Sequence, residues 1–450
     1  MFGNVILSSV LALRIIEDQK EAITNIVEGL EDDEQVLCKL ICKYGFDGSS
    51  GQSEYKQWFS SPERTDESLF CTTVVPLQLK RGDQILWENP VPSSKRFCRP
   101  LRLKFAKETT ELSQEVDASI RQEIDSLKPM DSSVDITYEV EADLNTVADV
   151  KVNYELHLTM VDQKVINALT ETKSSMRYYI CHATPTQFNN LVEVHCSDPK
   201  TYVYGISPLH KLIGCFEMLL HIAYRTEIKK WRVSSNEDKD VIKRKKKVIY
   251  DRFKEELGIK VDEPKQGAGN TNDGNTARRA FKNEKAFVDI CGLDEGLIHR
   301  YRMILLALFC KLPLDANKFG KYCRETAELQ LELYPWYRFP VSVHVLLVHG
   351  ATILSSSVLP IGMMSEEAQE ARNKDNKIYR RMHARKTSRT DTMSDVFHRL
   401  MVTGDIVISS KSLRVQQSQP LPPDVQSMLK DPYTKDLIVG EIAERDSDSE

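Results

Sequence analysis

The sequence lacks several features that would assign it to a specialised class of protein. Its 450 residues include only ten cysteines, which are scattered and form no dense disulfide framework, so we expect a reducing compartment. No apolar run reaches the roughly 20 residues that a membrane-spanning helix needs. The apolar start of the chain has no basic segment before it. We therefore expect neither a secretion signal nor an integral membrane protein.

The chain also lacks a large excess of charge of one sign. Its 61 Lys and Arg stand against 66 Asp and Glu, for a formal net charge of −5, and 41% of its residues are hydrophobic. This composition predicts a globular protein of about three domains, or one large domain with an insertion. A nucleic-acid site would have to be a local patch, and the basic run at 243–247 is one such segment.

The spacing of apolar residues predicts an α+β protein. Residues 17–43 have a helical period, which predicts two helices before Asp47. Two β-rich runs between 69 and 106 read as strands of one sheet, and 150–160 alternates apolar and polar residues throughout. Asp162 continues the buried phase of that last strand, where a carboxylate is costly unless it binds a metal or a partner. Beyond it the periods are mostly helical.

A glycine-rich segment could bind an anion. Gly267, Gly269 and Gly274 would let backbone N–H groups approach a phosphate, and Arg278 and Arg279 follow at the opening of a predicted helix. No Gly-Lys-Ser/Thr follows, so the segment is not a nucleotide-hydrolase P-loop. The alternative is a solvent loop that leads into a capped helix.

Two further segments have residue types suited to chemistry. Ser365 is a fitting N-cap for a helix that begins with carboxylates and becomes strongly cationic between 372 and 389, as suits a DNA backbone held next to a metal site. A solvated helix is the alternative. His344 and His349 have the spacing of a zinc-ligand pair in a chain that also offers Cys181, although paired histidines on an apolar segment are also typical of a packed core.

Six segments, in this order, resemble the Transib family of DDE transposases and the catalytic core of the V(D)J recombination-activating recombinase. They are 46–57 (FDGSSGQSEYKQ), 89–100 (NPVPSSKRFCRP), 160–165 (MVDQKV) with 179–184 (YICHAT), 273–279 (DGNTARR), 340–344 (PVSVH) with His349, and 361–389. They are distributed from about 40 to 405, a span that makes up most of the chain.

The resemblance implies an RNase H-like catalytic core with a large, mostly helical insertion before the last acidic residue. Carried onto matching positions, the catalytic residues are Asp47, Asp162 and Glu367, with Glu366 and Glu370 as alternatives for the third. The implied organisation is a helical N-terminal segment (1–44), the first part of the core (45–180), the helical insertion (181–350), the last core helix (351–405) and a flexible acidic tail (406–450).

The resemblance also implies an activity. Two Mg²⁺ or Mn²⁺ ions held by the three carboxylates would support DNA nicking, hairpin formation and strand transfer at transposon ends. The implied partners are the transposon terminal repeats, target DNA and a second copy of the chain in a homodimer, in the nucleus. A domesticated copy that binds DNA without catalysis, and a nuclease that cuts without joining, are the alternatives. The expected DNA-binding residues are Arg278, Arg279, Arg372, Arg380, Arg381 and Arg385.

The family's zinc site uses a Cys-x-x-Cys motif, and this chain departs from it. Tyr178 stands where the first cysteine would be, so Cys181, His344 and His349 are the three matching ligands for a structural zinc. His182 or a water would complete the site.

Overall fold

The chain divides into two compact units, one of which interrupts the other. The computed structural model describes residues 36–49, 66–127, 130–137, 145–173, 177–191, 199–264, 271–411 and 420–431, with 12, 14–16, 19 and 413. Unit 1 comprises 1–161 and 366–415, and unit 2 comprises 162–365 and 416–450. Unit 2 thus has wider bounds than the insertion predicted at 181–350.

Unit 1 contains a mixed six-stranded sheet. The strands are β1 (Val36–Ser49), β2 (Leu69–Arg81), β3 (Gln84–Glu88), β4 (Arg99–Phe105), β5 (Met130–Thr137) and β6 (Asn145–Leu158). Their order is β3-β2-β1-β6-β5, and β4 also pairs with β2. β1 is antiparallel to β2 and parallel to β6. The strands predicted at 69–106 and 150–160 are confirmed, as is the α+β class.

β1 corrects the prediction that two helices precede Asp47. The second of them would have covered 36–43, which forms a strand whose first residues alternate between buried and exposed. The sheet decides this outcome, because β1 lies between β2 and β6 and is hydrogen-bonded on both edges. A short apolar run fits a buried strand as well as a helix, and its periodicity alone does not separate them. The first predicted helix lies outside the described residues.

Helices make up most of the remaining described chain. In order, they are α1 (Thr110–Asp125), α2 (Gln163–Leu169), α3 (Pro208–Arg225), α4 (Asn236–Leu257), α5 (Gly274–Lys282), α6 (Glu284–Cys291), α7 (Glu295–Phe309), α8 (Ala316–Leu333), α9 (Val341–His344), α10 (Gly350–Ser355), α11 (Glu367–Met382), α12 (Arg389–Thr403), α13 (Ile406–Lys411) and α14 (Pro423–Ser427). Short 3₁₀ turns cover Lys95–Phe97, Pro199–Tyr204 and Ile361–Met363, and a π-helical turn covers Val345–His349. No helix among these is both long and apolar enough to cross a bilayer.

Each unit has its own core. In unit 1, α12 packs on β2 and β4 through an apolar cluster that includes Leu69, Leu103 and Val396. In unit 2, the rings of Phe216, Phe253, Phe281 and Phe287 pack against one another and join α3, α4, α5 and α6.

The flexible tail predicted for 406–450 is corrected in part. Residues 406–411 form α13, and the segment 420–431 contains α14 with the buried side chains of Val425 and Met428. Leu429 forms a β-bridge to Leu314, and Lys430 N–H donates to the Pro313 carbonyl. Burying these apolar side chains lowers the free energy of the folded protein, whereas a mobile tail would leave them exposed to water. The last 19 residues of the tail lie outside the described part of the chain.

Candidate functional site

Asp47 lies near the end of the central strand β1, directly opposite Cys71 of β2. Its Oδ2 accepts a hydrogen bond of 2.5 Å from Asn373 Nδ2 of α11. Two residues earlier, Gly45 meets the chain after β6 so closely that an added Cβ would lie 1.9 Å from the Met160 carbonyl oxygen. Only glycine fits there, and this contact fixes the strand that presents Asp47.

Glu366 and Glu367 open α11, and both are buried. The prediction that Glu367 lies in the first turn of a helix is confirmed, whereas the N-cap position is taken by Glu366 and not by Ser365. Lys43, on the same face of β1 as Asp47, is fully buried. Burial lowers the pKa of Lys43 to about 7, and the negative charges of Glu366 and Glu367 act against that shift. The Lys43 amine thus lies close enough to both carboxylates to interact with their charges.

Side-chain amides hold α11 on the sheet. Gln369 Nε2 donates to the Cys71 carbonyl at 3.3 Å, and Gln369 Oε1 accepts from the Thr73 hydroxyl. With the Asn373–Asp47 bond, these contacts orient the helix over β1 and β2. This arrangement was not predicted from the sequence. A signal was present, because the polar residues at 366, 369, 373 and 376 recur at the spacing of one buried helix face.

Asp162 is the N-cap of α2, and its Oδ1 accepts from Val165 N–H at 2.8 Å. It is the first residue of unit 2, whereas Asp47 and Glu367 belong to unit 1. The capping contact gives this carboxylate a structural partner in its own helix.

The predicted phosphate contacts are corrected for Arg372 and Arg380, because both side chains are buried in unit 1. Arg372 Nε donates to the Cys98 carbonyl at 2.8 Å, and its Nη1 lies 3.1 Å from Asp375 Oδ2. Arg380 Nη1 donates to the Asp66 carbonyl at 2.7 Å. Guanidinium groups that are enclosed in this way hold the helix in place and are inaccessible to a DNA backbone.

The other four predicted DNA contacts reach the surface to different degrees. Arg381 and Arg279 are exposed, and Arg278 is half-buried over the Phe309 ring. Arg385 is exposed but forms a bidentate pair with Asp395, at 2.9 and 2.8 Å.

The continuous cationic helix predicted for 372–389 is wrong, since α11 ends at Met382 and α12 begins at Arg389. Gly267 and Gly269 lie outside the described residues, and α5 begins at Gly274 with an Asp273 cap.

Unit 2 contains a candidate metal centre at Cys181, His344 and His349, all buried. One ligand atom from each lies within 4.8 Å of the others, and this is the metal-ligand cluster found among the described residues. Cys181 Sγ lies 3.5 Å from His344 Nε2. The three residues therefore converge, as the sequence predicted.

The local backbone explains how the two histidines meet. Residues five apart on an α-helix point about 140° apart around its axis. Between His344 and His349 the helix widens into the π-helical turn Val345–His349, in which five residues make a little more than one turn. The two rings consequently lie on one side, with centroids 5.1 Å apart. The sequence does not reveal this turn.

The hydrogen bonds at this cluster suit a metal. His344 Nδ1 lies 3.1 Å from the Phe188 carbonyl oxygen, which can only accept, so Nδ1 carries the proton and Nε2 presents its lone pair beside Cys181. His349 Nε2 is buried and has no hydrogen-bond partner among the described residues. Burial lowers the pKa of His344 and of His349 to about 4, which keeps both rings in the neutral, metal-binding form.

Tyr178 occupies the place next to the histidines where a fourth ligand would be expected. Its buried ring lies 5.5 Å from that of His349. One thiol and two imidazoles are ligand types that zinc prefers. Structural zinc sites usually have four protein ligands, and these residues supply three. His182 is exposed, next to Cys181 in the chain.

Compared with known proteins, the chain matches no family model and no curated protein.

Proposed function

We propose that this chain is a divalent-metal-dependent DNA transposase or recombinase with an RNase H-like core. It would nick DNA, form hairpins and transfer strands at transposon ends, as the family that the sequence resembles does. The helical part of unit 2 at 181–350 would be the insertion that precedes the last catalytic residue, and Cys181, His344 and His349 would bind a structural zinc. Terminal-repeat DNA, target DNA and a second copy of the chain are the proposed partners, in the nucleus.

The observation that carries this proposal is the hydrogen bond from Asn373 to Asp47. It joins two segments that are 326 positions apart in the sequence and that contain the first and the third predicted catalytic residue. The helix that begins at Glu367 is thereby seated on the strand that holds Asp47. A structural role alone would be served by apolar contacts, whereas this interface is built from carboxylates, amides and one lysine.

The strand order supports the RNase H-like part of the proposal. Antiparallel strands β1, β2 and β3 are joined in the sheet by β6, which runs parallel to β1. The central strand of such a mixed sheet is where the fold presents its first carboxylate, and Asp47 lies on β1.

Asp47, Asp162 and Glu367 would hold the metal, since carboxylate oxygens are the ligands that Mg²⁺ and Mn²⁺ prefer. Such ions would supply Lewis-acid activation of the attacking oxygen and charge stabilisation of the departing 3′ oxygen in a phosphoryl transfer. Asn373 orients the Asp47 carboxylate through its amide. The Lys43 amine interacts with the charges of Glu366 and Glu367, and in its protonated form it would reduce their mutual repulsion.

The test is a Glu367→Gln variant in an oligonucleotide assay that scores nicked, hairpin and joined products separately. We expect loss of all products with unchanged DNA affinity, because the variant removes a metal ligand and no phosphate contact. Glu370→Gln is the matched control and should remain active. An inactive Glu370→Gln variant beside an active Glu367→Gln variant would show that the wrong carboxylate was chosen.

A second candidate function is DNA binding without catalysis, by a domesticated descendant of such an enzyme. The observation that favours it is the position of Asp162, whose Oδ1 caps α2 by accepting from Val165 N–H at 2.8 Å. The same assay separates the two functions. Duplex binding without any nicked product, in Mg²⁺ or in Mn²⁺, would favour the second.

A further inference from the structure

A strongly basic segment of unit 2 lies at 229–247. It contains nine Lys and Arg residues against three Asp and Glu residues, in a chain whose formal net charge is −5. The segment leads into α4 and runs along its first half, and it includes the basic run at 243–247. In this half of α4 no side chain is buried, since the buried residues Ile249 and Phe253 lie in the second half.

Two cations of this run form ion pairs with carboxylates of unit 2. Lys246 Nζ forms an ion pair with Asp262 at 3.0 Å and also lies over the Tyr224 ring. Lys245 Nζ lies 3.5 Å from Glu227. These two lysines face the body of unit 2, and their charges are compensated there.

Three other lysines form an exposed row along α4. Lys239, Lys243 and Lys247 follow one another at intervals of four residues and are all exposed. We call them the basic row, which extends for about 12 Å along the helix. Within the described part of the chain no carboxylate forms an ion pair with any of them, so their charges are directed to solvent.

The basic row suits a polyanion whose negative charges are regularly spaced. Duplex DNA carries about one charge per 1.7 Å of its axis, so a lysine row of this length meets several phosphates. A membrane surface fits less well, because an interfacial helix needs an apolar face that is free to enter the lipid. The apolar face of α4, with Ile249 and Phe253, is buried in the core of unit 2.

We infer that the basic row of α4 is a sequence-independent contact surface for the backbone of duplex DNA. The inference rests on the proposed function and deepens it. It assigns to unit 2 a DNA-binding surface whose residues are distinct from Asp47, Asp162 and Glu367. It predicts binding that does not need a divalent metal, since lysine ammonium groups contact phosphates directly.

The experiment measures the affinity of the full chain for a mixed-sequence DNA duplex in EDTA, between 50 and 200 mM salt. A Lys239→Gln/Lys243→Gln/Lys247→Gln variant should lower the slope of log K against log salt by about 3, at roughly 0.9 per phosphate contact. The unmodified chain should then lose about 40-fold more affinity over this range than the variant. A variant with three exposed cations changed elsewhere in unit 2, at Lys285, Lys321 and Arg324, is the matched control and should keep the original slope.

Circular dichroism and thermal unfolding establish that both variants are folded. An unchanged slope in the basic-row variant, or an equal decrease in the control, would overturn the assignment of this surface while leaving the proposed catalysis intact. Loss of binding to anionic lipid vesicles with unaltered DNA binding would overturn it in favour of a membrane surface. An unmodified chain that binds no duplex at all would overturn the surface and the proposed function together.

Discussion

Replacing His349 by Phe should affect the metal-free and the zinc-bound protein in opposite directions. In the metal-free protein, His349 Nε2 is buried and has no hydrogen-bond partner within the described residues, which costs about 1–3 kcal/mol. Phenylalanine has a similar shape and no polar ring atom, so the free energy of unfolding should rise by a comparable amount. For a unit of this size that corresponds to a Tm increase of about 2–4 °C per kcal/mol.

Zinc should reverse this order of stability. A metal at 100 times its Kd stabilises the protein that binds it by about 2.7 kcal/mol, or roughly 5–10 °C in Tm. The unmodified chain should show this shift, with one bound zinc, and His349→Phe should not. Differential scanning calorimetry and metal analysis measure both quantities, and His210→Phe, at an exposed histidine of α3, is the control.

The reasoning would be refuted by a His349→Phe variant that still binds one zinc, or that is less stable than the unmodified chain in EDTA. Tyr178→Cys should increase zinc affinity, because a thiolate would complete the set of four ligands. Full zinc occupancy of the unmodified chain that His182→Ala does not reduce would show that another residue is the fourth ligand.

Three further predictions concern unit 1. Asn373→Leu should lower the free energy of unfolding by about 1–3 kcal/mol in urea titrations, since Asp47 would lose a buried hydrogen bond; an unchanged midpoint would contradict the contact. Arg372→Gln should lower the free energy of unfolding by about 3–5 kcal/mol, because it breaks a buried ion pair. A variant that is fully stable but binds DNA more weakly would show that Arg372 is a DNA contact after all. Hydrogen bonds from Arg385 lower the pKa of Asp395 to about 2, so this pair stabilises the protein above about pH 4 and is lost as the pH falls towards 2. Arg385→Gln should flatten the acid limb of a stability–pH curve, and an unaltered limb would show that the pair contributes nothing.

Local patterns in the sequence were sufficient for several elements. The alternation at 150–160 predicted one strand, because a two-residue period is a property of the strand itself. The composition of the two β-rich runs between 69 and 106 predicted two more. The carboxylates after Ser365 predicted the helix that begins at Glu367. The meeting of Cys181, His344 and His349 was predicted through a resemblance and the ligand types, without knowledge of the backbone between them.

Tertiary structure decided what depends on distant neighbours. The run at 36–43 became a strand because β2 and β6 flank it, and Arg372 became a buried side chain because Cys98 and Asp375 receive its guanidinium group. The lysines at 243–247 look equivalent in the sequence, yet Lys245 and Lys246 pair with acidic residues that only the fold brings near. Burial and ion pairing are properties of the surroundings of a residue, and these surroundings come from segments that lie far away along the chain.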